Sequence, residues 1–569
     1  MSPLVTVRTH ILLLVVLSWL ARPVLGQAAP MPDGTAALFD PKHLLEIHIE
    51  MAPADWDVLR RQHHDLLATL GPERLTKPEP KPYTVFKADV TIDGVTLKGV
   101  GLRKRGFLGS ASLQRPSLGI RFDEFEQKKS FSGLARMSLN NNLQDPSLVH
   151  QSIAYRVFAA AGVPSPRCSL ARVTVNGKYL GIYSHVEAVE KEFLKRKFGE
   201  ASGNLYEGQI SDFRPIWVRT FQKKNHKQTD SRADLEAVVK ALQSDDAHLL
   251  ARLEPLVDID EYLTYWAVET VVGHWDSYSN NGNNFLIYAL PASGKFQFIP
   301  WGADSVLGDP DPFTRFKRPE SLQDMSLLPR RLYQLPATRE RYREKLRQVL
   351  KVAWNEAELL AEVDRLEAMV EGRVHVSTSH FQAGLKKVRQ FIRTRREVLE
   401  KELAGPVPEW SWALKESCSL EKAGTFQAIF QGTWQNKPDL GEIWRSSATI
   451  SVVQPDKTQE SAGAGVSITP AEDARNAGFP VISLVSLRFS QARLQLPILV
   501  VQPEFYKPGA TLKIDGSTVS GILIDSSLLG GKFALGGLFV GTLKLLEAGT
   551  KPGQPVSGKV EADIYRFLQ

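Results

Sequence analysis

His274-Trp275-Asp276-Ser277-Tyr278-Ser279-Asn280-Asn281-Gly282-Asn283-Asn284, with Ile299-Pro300-Trp301-Gly302-Ala303-Asp304 after it, is the stretch on which the reading of this chain turns. Upstream of it, Arg232 to Gln243, Ala247 to Leu253 and Ile259 to Val272 carry apolar residues at helical spacing, and Glu340 to Val370 does so downstream. Within it, Phe285 to Leu290 and Phe296 to Ile299 read as strands joined by the turn Pro291-Ala292-Ser293-Gly294. A polar loop, a hairpin and an acidic loop therefore interrupt a helical region.

Towards the N-terminus the pattern is β. Leu44 to Met51 alternates, and Asp55-Trp56 opens a short helix. Asp93-Gly94 and Asn176-Gly177 are two-residue hairpin turns between alternating strands, because both dipeptides tolerate the positive φ such turns require. Ser117 to Phe122 reads as a further strand, and Asp145-Pro146 as the start of a helix ending at Gly162. Residues 44–190 thus read as a mixed α+β lobe dominated by antiparallel strands. From Pro406 onward, short Val/Ile/Leu runs separated by Gly, Ser and Thr imply an all-β sandwich or barrel, with the sandwich-like form expected.

A chain of 569 residues is long enough for more than one core. Arg8 and His10 precede the apolar run Ile11 to Ala21, and small or apolar residues precede Gln27. This is the pattern of a cleaved signal peptide over residues 1–26. The run is short of the ~20 residues a membrane span needs, so secretion without a stable membrane anchor is expected. Residues 27–43 read as a leader. Removal of Arg8 and Arg22 leaves 68 basic against 63 acidic residues, a net charge of +5. So weak a balance gives no reason to expect nucleic-acid binding. Cys168 and Cys418 are the only cysteines. Two isolated cysteines leave a disulfide and two separate thiols equally open.

Asp276 is followed by Asn280 and Asn281, and Asp304 lies one hairpin further on. Phosphoryl transfer asks little covalent chemistry of a protein. It needs an acid that orients the attacking hydroxyl, hard oxygen ligands for a divalent metal and a grip on the phosphates. Arg103-Lys104-Arg105-Gly106-Phe107-Leu108-Gly109 supplies basic side chains and glycines for such a grip, with Arg115 and Arg121 following. Two other readings remain beside this one. An Asn-rich loop can satisfy only its own backbone, and Asp276 with Asp304 could act as the paired carboxylates of a secreted hydrolase.

Several segments together resemble the CotH-like kinase family, the atypical kinases associated with spore coats. They are Arg105-Gly106, Pro116-Ser117-Leu118-Gly119-Ile120-Arg121-Phe122-Asp123, Leu139-Asn140-Asn141-Asn142, Asn176-Gly177-Lys178-Tyr179-Leu180-Gly181-Ile182-Tyr183 leading to Glu187, Gly203-Asn204-Leu205-Tyr206 and the opening stretch. The resemblance implies a reduced, bilobal kinase-like domain over residues 44–405, with residues 406–569 as a β-rich accessory domain. It implies ATP with Mg²⁺ or Mn²⁺ as cofactors. Asp276 would be the catalytic acid, and Asn281 and Asp304 metal ligands. Arg105, Gly106, Arg115, Arg121 and Glu187 would hold the nucleotide. The expected activity is transfer of the γ-phosphate to a Ser, Thr or Tyr hydroxyl of a protein by an exported enzyme. The alternatives are an inactive nucleotide-binding scaffold, or a surface or coat protein whose C-terminal domain holds a partner. One departure stands out. Family members commonly carry Trp-Asp-x-Asp where this chain has Trp301-Gly302-Ala303-Asp304.

Overall fold

The computed structural model describes residues 34–567, except 78–79, 312–317, 410–413, 415–419, 454–457, 473–477, 489–492 and 528–533. The expected signal peptide, residues 27–33 of the leader and Cys418 lie outside the described residues; Cys168 is a free thiol. The described chain is α+β: a first barrel, a helical region that contains a small sheet, and a second barrel.

Seven strands form the first barrel: β1 (Leu44–Glu50), β2 (Phe86–Ile92), β3 (Val95–Arg105), β4 (Ser117–Arg121), β5 (Arg136–Asn140), β6 (Cys168–Val175) and β7 (Lys178–Val186). Their order is β1-β2-β3-β4-β5-β7-β6, and closure comes from a parallel pairing of β1 with β6, with Leu44 opposite Leu170. Asp93-Gly94 and Asn176-Gly177 turn as expected, with positive φ at all four residues. The interior is apolar, built on Ile47, Val90, Leu102, Ile120 and Val173. Strand alternation divides the basic run of β3. Arg103 and Arg105 share one face, while Lys104 points to the other, where it is buried and donates to the Arg60 carbonyl at 2.7 Å. Burial pushes the Lys104 ammonium down to about 8.

The helical region is organised around Ile259–Val272, a helix that is buried on nearly every face. Trp266 stacks on Tyr342 at 3.7 Å between ring centroids, and Tyr262 packs against Phe298 at 4.6 Å. Burying side chains of this size contributes about 1.5–3 kcal/mol each, so this helix is the rigid post of the region. Four strands pair beside it in the order β11-β10-β8-β9: β8 (Leu205–Gly208), β9 (Phe221–Lys223), β10 (Phe285–Ala289) and β11 (Phe296–Pro300). No helix among the described residues is long and apolar enough to cross a membrane.

Three expectations differ from what is found. The long helical pattern from Glu340 to Val370 is two helices, Pro336–Val352 and Glu356–Val370, because the Asn355 side chain caps the second by accepting from Glu358 N–H. The helix expected at Asp145 begins at His150, since the Asp145 carboxylate accepts from the N–H groups of Ser147 and His150 and holds a turn ahead of it. The C-terminal strands do not form two facing sheets. Nine of them between Leu420 and Phe567 close into one barrel, in which the last pairs with the first from Leu420 opposite Phe567 to Thr433 opposite Pro555. The preceding helix, Thr378–Ala404, ends at Gly405.

Candidate active site

The helix Ile259–Val272 stops at Gly273, whose φ of 65° turns the chain out of it. The next residues carry His274, Trp275 and Asp276, and then a single helical turn, Tyr278–Asn281. That turn lies inside the stretch read from sequence as loop. Its first N–H groups are buried and capped from the preceding helix, as the Glu269 carboxylate accepts from Tyr278 and Ser279 at 3.2 Å each. Burial pushes the Glu269 carboxyl up to about 7. Asp212 accepts from the Tyr278 hydroxyl at 3.2 Å and from Leu327 N–H, and so fixes the turn from the other side.

Asp276 is the centre of an amide cage. Asn281 Nδ2 donates to its Oδ1 at 2.6 Å, Asn283 Nδ2 to both oxygens at 3.1 Å, and Asn284 Nδ2 to Oδ2 at 2.8 Å and to the backbone carbonyl at 3.0 Å. The Asn cluster therefore serves the carboxylate rather than only its own backbone. Burial, with a contribution from the Asp304 charge, pushes the Asp276 carboxyl up to about 6 despite these donors. A carboxyl raised in this way binds its proton more tightly folded than unfolded. Between its ordinary value of 3.8 and about 6 the protonated form is favoured by folding, so its contribution to stability falls as pH rises through that window.

Strand register brings the second acid to the first. Phe285 faces Pro300, and Trp301 N–H donates to the Asn284 carbonyl at 3.1 Å, so Gly302 to Asp304 run beside Asp276 to Asn284. Asp304 Oδ2 accepts from Asn140 Nδ2 at 2.9 Å, and its backbone carbonyl bonds His150 Nδ1 at 2.8 Å. Burial raises the Asp304 carboxyl as well, while Asn140 opposes the shift. Asn140 ends β5, so this bond ties the first barrel to the helical region at the site itself. His274 is buried and held down to about 3 by desolvation, hence neutral, and packs where the Gly302 backbone faces it.

Gly302 has φ of 52°, and a Cβ placed on it would lie 2.4 Å from Asn284 Oδ1. The amide that holds Asp276 thus occupies the space a side chain at 302 would need. Gly302→Ala is expected to cost about 1–2 kcal/mol from the left-handed backbone alone, read as a lowered denaturant midpoint, with a further loss as Asn284 is displaced.

Asp276, Asn281, Asp304, Arg105, Gly106 and Arg121 line one cavity of about 1490 Å³. Arg105 lies over the Trp301 ring at 5.7 Å from its centroid. Gly106 has φ of 93°, and a Cβ there would strike Ser110 Oγ at 2.0 Å, so the tight Arg105–Ser110 loop requires glycine. Arg121 also reaches Glu124 at 2.7 Å. Arg103, on the same face of β3 as Arg105, lines the cavity too, and burial with the charges of Arg105 and Arg121 pushes it down to about 10. Glu207 balances this cluster: burial works against its charge, but Lys224, Arg105 and Arg103 hold its carboxyl below the usual range.

Two of the expected nucleotide-binding residues are elsewhere. Arg115 does not line the cavity; its guanidinium donates to the carbonyls of Leu180, Asn141 (2.8 Å) and Ile182 and lies over Tyr183. Glu187 is buried, away from the cavity lining, where Arg167 and Arg196 both donate to it. Both direct their polar atoms to partners within the protein. The sequence offered Arg103 only as part of a basic run, and the period-2 alternation of β3 puts it beside Arg105; Asn140 was given no role of its own. Glu269 was invisible because its role depends on a turn that the sequence read as loop.

The donor set suits a hard cation. Asp304 and the Asn281 amide line the same cavity, one carboxylate and one neutral oxygen of the kind a Mg²⁺ ion takes when phosphates complete its shell. Among the described residues there is no cluster of three or more His, Cys, Asp or Glu side chains able to hold a metal on their own.

The family model described as CotH kinase protein matches residues 102–399, just over half of the chain. The inner spore coat protein H of Bacillus subtilis (strain 168) is 26% identical over 195 residues, which cover 32% of this chain and 53% of that protein. An inner spore coat protein H-like protein of the same organism is 33% identical over 92 residues, covering 16% of this chain and 30% of its own length. The chain thus spans about half the length, or less, of these curated relatives. Among solved structures, the proinflammatory kinase CtkA of Helicobacter pylori aligns at 11% identity with a TM-score of 0.26, over 52% of this chain and 95% of that one. A HipA–HipB toxin–antitoxin complex with operator DNA from Shewanella oneidensis MR-1 aligns at 12% identity with a TM-score of 0.28, over 65% of this chain and 76% of that one. Superpositions this loose assign no fold.

Proposed function

The chain belongs to the CotH kinase protein family, and on that premise we propose that it is an exported protein kinase that transfers the γ-phosphate of ATP to a protein hydroxyl. The observation that carries this reading is the convergence of a caged acid, Asp276, a second acid, Asp304, and the guanidiniums of Arg103, Arg105 and Arg121 on one cavity. The first barrel and the helical region would then be the two lobes of a kinase-like domain, with the nucleotide between them.

In this mechanism Asp276 accepts a hydrogen bond from the acceptor hydroxyl and takes up its proton as the oxygen bonds to the γ-phosphorus and ADP departs. Asn281, Asn283 and Asn284 hold the carboxylate in one orientation, which removes much of the entropy cost of aligning the acceptor. The arginines pair with phosphate oxygens. Asp304, aided by Asn281, would hold Mg²⁺ or Mn²⁺, which when bound neutralises charge on the phosphates. Asn140 keeps Asp304 oriented from the first barrel.

The test is phosphate transfer from γ-labelled ATP by the full chain to a mixed Ser, Thr and Tyr acceptor. Transfer should rise with pH through about 6, because Asp276 must be ionised to accept the proton. Absence of any transfer with Mg²⁺ or Mn²⁺ would overturn the reading. Gly302 favours a second one, a nucleotide-binding scaffold without transfer, since an acid is missing there relative to the family pattern. The signal-like N-terminus and the coat-protein names of the relatives support a place outside the cytoplasm, at a surface or coat, with the C-terminal barrel contacting a partner there.

A further inference from the structure

The cavity that holds Asp276 and Asp304 is not closed by the first barrel and the helical region alone. Gly516, Ser520, Gly521, Ile522, Leu538 and Phe539 of the C-terminal barrel line it as well. The barrel is fastened on the side that carries the phosphate-facing arginines. Arg60, on the helix Pro53–Arg61, donates to Glu504 at 3.0 Å while Asp57 also holds it. Gln114 Nε2 donates to Gln502 Oε1 at 3.0 Å, and Arg61 lies over the Phe505 ring. Beneath these polar contacts runs an apolar seam in which Leu66 and Leu70 pack with Leu420, Leu538 and Phe107. Phe107 belongs to the Arg105–Ser110 loop, so the barrel also holds the loop expected to face phosphate.

The walls differ in chemistry. The guanidiniums of Arg103, Arg105 and Arg121 come from the first barrel, whereas the C-terminal barrel presents mostly small and apolar residues, with Arg566 and Glu421, which lie opposite one another on paired strands, as its charged groups. A volume of about 1490 Å³ also exceeds the ~300–1,000 Å³ of an ordinary small-molecule pocket, which leaves room for more than a nucleotide. We infer that the C-terminal barrel is the acceptor-side wall of the catalytic chamber, and that the acceptor hydroxyl arrives on an extended segment flanked by small or apolar residues. The docked barrel keeps the surface of a folded protein away from Asp276. The identity of the acceptor rests on the kinase reading above; the wall rests on the geometry alone.

The experiment uses the full chain with Ser520→Cys, labelled by a small maleimide or by a polyethylene-glycol maleimide too large for the chamber, and is read by peptide mass so that Cys168 and Cys418 are scored separately. The small reagent should modify position 520 readily. The large one should react about tenfold more slowly, because it must wait for the barrel to open. Adding Glu504→Arg, which turns the Arg60 and Arg61 contacts repulsive, should bring the two rates together; Gln502→Lys is the second release variant should that one fail to fold. Equal rates in the unreleased chain overturn the wall, as does a position 520 that neither reagent reaches. A chain that shows this labelling pattern yet transfers no phosphate would remove the kinase reading and leave the wall standing. Where transfer occurs, an unstructured peptide acceptor should exceed the same sequence embedded in a folded domain by about tenfold, and parity would overturn the acceptor part.

Discussion

Asp276→Asn is expected to lower phosphate transfer by about 10²- to 10⁴-fold, the usual contribution of a positioned general base. The substitution keeps the shape of the side chain but removes the group that accepts the hydroxyl proton. It also sets an amide against the three amides of Asn281, Asn283 and Asn284, which now all donate to a carboxylate. Nucleotide binding does not pass through Asp276 in this mechanism, so the stabilisation given by ATP and metal should persist. Transfer rates and nucleotide-dependent unfolding, measured on the same preparation, separate the two. A variant that transfers as fast as the parent would show that the caged acid is not the base.

Glu187→Ala is expected to cost about 3 kcal/mol of folding stability, at the low end for breaking a buried ion pair because Arg167 and Arg196 are each about a quarter exposed. The carboxylate sits at the end of β7 and is the shared acceptor of both arginines. Its removal strands two cations at once. A loss of that size is a large share of the stability of an ordinary domain. It should appear in a denaturant midpoint, while the folded fraction binds nucleotide as the parent does. Unchanged stability with lost nucleotide affinity would return Glu187 to the binding site.

The sequence made the local elements legible where a residue type forces the backbone. Asp93-Gly94 and Asn176-Gly177 named their hairpins, and Gly273 marked the end of the helix that presents Asp276. Asp276, Asn281 and Asp304, grouped by polar spacing, line one cavity, because a single hairpin joins them and its register follows from alternation. Arg115 and Glu187 lie outside the cavity lining for the opposite reason. Each lies close in sequence to cavity-lining residues, but its side chain points into a backbone or ion-pair network, and such partners, at Leu180 or Arg196, are not encoded by local spacing. For the C-terminal domain the strand pattern allowed a sandwich or a barrel, and the choice was hidden because closure depends on a pairing between Leu420 and Phe567, the two ends of the domain.

Gly302 turns from a deficit into a geometric statement: the position is left-handed, and the Asn284 amide stands where a side chain would go. We propose that Asp304, oriented by Asn140, provides the metal-holding acid without help from position 302. The most direct test is thermal unfolding of the full chain and of Asp304→Asn, titrated with ATP in the presence and absence of Mg²⁺. The parent should gain about 2.7 kcal/mol at a hundredfold excess over Kd, with most of that gain dependent on the metal, and Asp304→Asn should lose the metal-dependent part. A parent without a metal-dependent shift, or an Asp304→Asn variant that shifts as the parent does, would contradict it.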